Sequence, residues 1–156
     1  IAANSGIKGE PSNQDWFEHG KKLTDVAKKA MTDMTPVSSG KLQVKMTTMT
    51  ANLNPLYKPE GGSGTFLVSV ITMGDVAFAA TPYEMHDTNG MELKAASPFK
   101  MTFMCAYTNG NHGYMASSAA FENGGYEVNS SHFEKGTGEA AVAQLVSDLN
   151  TLYQTR

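Results

Sequence analysis

The stretch Met101 to Val128 constrains this chain more than any other. Met101 to Tyr107 is short, mostly apolar and barely alternating, and it is bracketed by Ser97-Pro98 and Asn109-Gly110, so it predicts a buried core strand. The residues that follow are of another kind. Thr108 to Val128 carries four glycines, three asparagines, a histidine and two spaced tyrosines. That composition suits a loop on the end of a strand, where backbone must come close to a ligand.

The flanking segments are consistent with a single α/β domain, residues 14–156, behind a loose polar segment, residues 1–13. At 156 residues the chain is long enough to bury a core without disulfide staples. Ser12 with Asp15 reads as a capping box. Trp16, Leu23, Ala27, Ala30 and Met34 follow at helical spacing up to Thr35-Pro36, predicting a helix that covers a sheet. Lys21, Lys22, Lys28 and Lys29 form its solvated face. Leu42, Val44 and Met46 alternate with Gln43, Lys45 and Thr47, the period of a strand with one wet face. Residues 51 to 64 end in Pro59-Glu60-Gly61-Gly62-Ser63-Gly64, which reads as a flexible connector.

Phe66 to Met73 and Val76 to Ala80 read as strands joined by a tight hairpin at Gly74-Asp75. The second is apolar on both faces and is expected to be central. It leads into Pro82-Tyr83-Glu84, which sets a carboxylate at the end of a core strand. A helix of modest quality over Met85 to Ala96, interrupted at Asn89-Gly90, and a helical turn over Ser117 to Glu122 come next. The clearest element is the last helix, with Val142, Leu145, Val146, Leu149, Leu152 and Tyr153 on one stripe.

Several function classes are excluded or left without support. A net charge of -3 with scattered lysines gives no electrostatic case for nucleic acid. No apolar stretch approaches the ~20 residues of a membrane-spanning helix. Cys105 is the only cysteine and reads as a buried, inert thiol. Phosphate-loop and dinucleotide fingerprints are absent, no serine stands in a GxSxG elbow, and no Ser/His/Asp set can be assembled from spacing. By residue type the candidates for chemistry are Glu84, His86, His112, Tyr114 and Tyr126. Glu84 and His86 could give zinc an oxygen and a nitrogen donor, yet two residues do not make a site, and a lone exposed carboxylate is the plainer reading of Glu84. His112 reads as a loop-tip residue, His19 as half of a surface pair with Asp15, and His132 has no partner in the sequence.

The order of motifs adds a resemblance. Gly74-Asp75-Val76-Ala77, Pro82-Tyr83-Glu84, Ser97-Pro98-Phe99, Asn109-Gly110-Asn111-His112-Gly113-Tyr114 and Gly124-Gly125-Tyr126-Glu127-Val128 resemble, in that order, the neutral/alkaline ceramidase family and its shorter bacterial relatives. Residues 74 to about 150 carry the likeness. It implies the C-terminal half of an α/β catalytic domain, a mixed sheet flanked by helices, in a zinc-dependent amide hydrolase that is expected to be secreted. By motif position Glu84 and Tyr114 fall on two of the zinc ligands, and Tyr126 falls on the tyrosine that polarises the substrate amide. The family's metal-binding histidines and catalytic serine lie upstream, so the resemblance implies that this chain is inactive without the upstream half. It implies an N-acyl or lipid-like substrate. Tyr83 stands where the family has glycine, so a turn needing positive φ would be rearranged, and Asn111 replaces a tyrosine. Those departures support the alternative, a non-catalytic relative used for binding or assembly.

Overall fold

Val68 and Val70 sit at the centre of the molecule because β-branched residues pack well on a pleated surface and both neighbours of their strand are strands. The computed structural model describes residues 13–37 and 40–156. The predicted loose segment and the Ser12 side of the capping box lie outside the described residues. The chain divides into two compact units after Pro36.

The first unit contains helix α1 (Asn13–Thr32). Every residue from Asp15 to Val37 is exposed, Trp16, Leu23 and Met34 included, and none of them belongs to the core.

In the second unit β1 (Leu42–Asn52), β2 (Ser63–Met73), β3 (Val76–Ala80) and β5 (Met101–Cys105) form a four-stranded sheet in that order. The first two pairings are antiparallel and β3 runs parallel to β5, so the sheet is mixed, as expected. Gly74, at φ 57°, makes the β2–β3 hairpin with the left-handed conformation its first central position needs. Two-residue strands β4 (Glu84–Met85) and β6 (Tyr114–Met115) form a separate parallel pair. Helix α2 (Asp87–Ala96) is continuous through Asn89-Gly90. Short helices α3 (Ser118–Asn123) and α4 (Tyr126–Asn129) precede α5 (Thr137–Gln154).

Helix α5 lies on β1 and β2, and α2 lies beside it against β5. Leu145 and Leu149 are fully buried among Val68, Val70, Ala77, Ala79 and Leu93, so the predicted stripe of α5 is the keel of the core. Two strand expectations are corrected. Strand β5 pairs only with β3 and exposes Met101 and Phe103, so it is an edge with one open face rather than a buried core strand. In β1 the polar set faces inward: Gln43 donates to Thr155, Thr47 donates to Asp148 Oδ2 at 2.7 Å, and Lys45 pairs with Asp148 at 3.4 Å. Leu42, Val44 and Met46 are the exposed ones.

The 51–64 segment is bonded rather than a free connector. Leu53 N–H donates to Gly62 O, and Asn54 Nδ2 donates to Val128 O and Ser131 O. Ser63 and Gly64 already belong to β2, and a Cβ on Gly64 would stand 3.2 Å from the Phe133 ring.

Candidate functional site

Beyond Ala80 the turn of residues 81–84 and the loop after β5 run side by side. Thr81 N–H donates to Cys105 O, Thr108 N–H to Thr81 O, His112 N–H to Pro82 O, and Glu84 N–H to Gly113 O at 2.9 Å. This backbone lacing ends in the β4–β6 pair, where Glu84 stands directly opposite Tyr114. The loop pays for its tight path with left-handed residues: Tyr107 at φ 53°, Asn109 at 64° and Gly113 at 83°. Among the described residues, Tyr107 and Asn109 are the only non-glycines at positive φ. Such conformations cluster where a structure holds a side chain in a required place.

Tyr83 is not at positive φ, so this turn is built without the left-handed conformation that a glycine would permit. Its side chain is buried instead, edge-on to Phe66 at 5.7 Å and to Phe133 at 5.6 Å. This aromatic anchor fixes the residue directly before Glu84. Burial, with Tyr57 adding to it, pushes the Tyr83 hydroxyl up to about 12.

Around Glu84 three tyrosines converge. The Tyr107 hydroxyl donates to Glu84 Oε2, and that bond is the main reason its pKa is pushed up to about 12. Tyr114 is held above the ordinary phenol range by desolvation first and by the Glu84 carboxylate next. The Tyr114 and Tyr126 rings meet edge to face, with centroids 5.7 Å apart. Glu84, Tyr114 and Tyr126, which are far apart in sequence, are thus neighbours. Tyr126 opens α4 and is 73% exposed, so its hydroxyl is accessible from solvent.

The remaining candidates stand apart in different ways. His86 sits between Ser117 and Glu127, with Nδ1 3.3 Å from Ser117 Oγ and Nε2 3.1 Å from Glu127 Oε2. The second approach is close but poorly aligned, and Nε2 has no hydrogen-bond acceptor. His112 stacks obliquely on Tyr83 and belongs to the loop, as expected of a loop residue. His132 packs against Tyr57, Tyr83 and Phe133, and burial lowers its pKa. Cys105 is half-buried rather than buried, and its thiol is free, with its pKa raised by desolvation.

Sequence reasoning missed Tyr107 and the Ser117–His86–Glu127 array. For Tyr107 the available signal is its place just before Thr108-Asn109-Gly110, where a strand must turn. The array has no spacing signal, because a 31-residue separation between His86 and Ser117 is closed only by the β4–β6 pairing.

Glu84 and Tyr114 offer oxygen donors from paired strand positions, which fits part of a tetrahedral zinc shell. Among the described residues no group of three or more His, Cys, Asp or Glu could hold a metal. No protein family's sequence profile matches this chain, and no curated protein matches it. Solved structures do, among them a ceramidase complexed with C2 and the neutral ceramidase from Pseudomonas aeruginosa, each with a TM-score of 0.52 over 58% of this chain and 16% identity. The fold is ceramidase-like. This chain spans only 15% and 16% of the lengths of those ceramidases.

Proposed function

We propose that this ceramidase-like chain is part of a zinc-dependent N-acyl amide hydrolase, with Glu84 and Tyr114 as half of the metal shell and Tyr126 as the donor to the substrate carbonyl. The observation that carries the reading is the meeting of Glu84, Tyr114 and Tyr126, from three separate motifs, at one end of a ceramidase-like sheet. Zinc, when bound, polarises an amide carbonyl and activates an oxygen nucleophile. Glu84 would hold the metal through its carboxylate. Tyr114, whose proton is held tightly in this chain, would lose it to solvent when a bound cation stabilises the phenolate. Tyr126, exposed and edge-on to Tyr114, would donate its hydroxyl proton toward the charge that develops on the amide oxygen. The remaining ligands and the catalytic serine would come from upstream polypeptide, and the substrate would be an N-acyl or lipid-like amide.

A second reading, a non-catalytic domain for binding or assembly, draws on Tyr107. Its hydroxyl already occupies one oxygen of Glu84.

The test is metal content and turnover of a fluorescent N-acyl substrate by the longer protein that includes the upstream half. Stoichiometric zinc and turnover, both lost in Glu84→Ala/Tyr114→Phe, are the expected result. Tyr126→Phe should retain zinc and lose about 10²–10³ in kcat, the usual cost of one oxyanion donor. A longer protein that takes up no zinc and stays inactive with zinc supplied would leave the binding reading standing.

A further inference from the structure

Tyr107 has no part in the chemistry proposed above, yet it is tied to the site twice. Its N–H donates to Tyr83 O at 3.4 Å, and its hydroxyl donates to Oε2 of the next residue, Glu84. Its φ of 53°, just past the end of β5, is an outlier for a bulky side chain. Backbone of that kind persists where the surroundings fix it, and it gathers at functional sites. Burial of the ring does not account for it, because Tyr107 is 46% exposed.

The hydroxyl lies among the groups assigned to the metal and the substrate. Its bond to Glu84 is the main cause of its raised pKa, and the nearby Tyr114 and Tyr126 hydroxyls add to the rise. The Tyr83 anchor and the β4–β6 pair fix the backbone of Glu84, while Tyr107 fixes its carboxylate. An ionised carboxylate has two oxygens and about four lone-pair sites, so a phenol on Oε2 leaves Oε1 for a cation. Carboxylates that ligate a metal are ordinarily hydrogen-bonded in this way, and the bond orients them.

We propose that Tyr107 is a positioning residue for the metal site: it holds Glu84 Oε2, leaves Oε1 to the cation, and sets zinc affinity without being a ligand. The inference rests on the reading of Glu84 as a zinc ligand. The bond between Tyr107 and Glu84 is then preparation for the metal rather than a block to it.

Zinc affinity of the longer protein, measured by competition with a chelating dye, tests this in the wild type, Tyr107→Phe and Thr108→Ala. Phenylalanine keeps the ring and loses the hydroxyl. Alanine at 108 removes the hydroxyl bonds to Cys105 O and Ala106 O, which brace the same turn without touching Glu84. Tyr107→Phe should bind zinc about 10–100-fold more weakly, the usual cost of losing such a partner, and should unfold in urea at the wild-type midpoint when zinc-free. Thr108→Ala should bind zinc as the wild type does. Equal losses in the two variants overturn the proposal and make Tyr107 a brace of the loop. Unchanged affinity in Tyr107→Phe overturns it as well, and tighter binding does so by marking the phenol as a competitor for Glu84. Ultraviolet difference absorption should show one tyrosine ionised per zinc, and two would overturn the proposal by making Tyr107 a ligand. In each of these cases zinc that the wild type binds and Glu84→Ala/Tyr114→Phe loses leaves the hydrolase reading standing. A wild type that takes up no zinc overturns both.

Discussion

Tyr83 shows how one side chain can aim another. Its ring is wedged between Phe66 and Phe133, and the next residue is Glu84. Its raised pKa has a consequence for alkaline stability. The folded state holds the phenol proton more tightly than the unfolded chain, so this contribution is fully present below pH 10.0 and is lost as pH rises through about 12. Urea midpoints measured across that window should fall less steeply for Tyr83→Phe than for the wild type. An equally steep fall would show that Tyr83 is not part of the alkaline transition. Tyr107 carries a raised pKa of the same sign, but it is exposed and held by a single carboxylate bond.

Between β1 and α5 the decisive contact is polar. Asp148 is fully buried on the inward stripe of α5, where it accepts from Thr47 at 2.7 Å and from Gln144 at 2.9 Å and pairs with Lys45. This carboxylate is why the polar side of β1 turns inward. A buried acceptor with its donors in place costs about 1–3 kcal/mol to lose, since the donors are then left without partners. Asp148→Ala should lower unfolding free energy by about that amount in urea titrations, and an unchanged midpoint would mean the contact contributes nothing. The α5 stripe itself was legible from its 3.6-residue period, whereas Asp148 was not, because a lone acid within such a stripe looks like a solvent-facing position.

At the scale of the whole molecule, the interior is a single seam between the helix face of the sheet and α5. Backbone amides of Val68, Val70, Ala77 and Ala79 should therefore exchange with deuterium most slowly, and those of residues 107–113 in the site loop much faster. Uniform exchange across the second unit would contradict that distribution. The site loop is laced to residues 81–84 by backbone bonds but has few apolar contacts of its own, which makes it the separable part.

Periodicity and turn chemistry in the sequence determined the β2–β3 hairpin, the central place of β3, helix α5 and the tyrosine-rich loop, because each follows from local spacing and from glycine's tolerance of positive φ. The motif order also pointed to Glu84, Tyr114 and Tyr126 together. Only the tertiary structure decided which face of β1 turns inward, that β5 is an edge, that Tyr107 bonds Glu84, and that Ser117, His86 and Glu127 come together. Those outcomes depend on what packs opposite a strand, and alternation records that a strand has two unlike faces without recording which one the helix will cover.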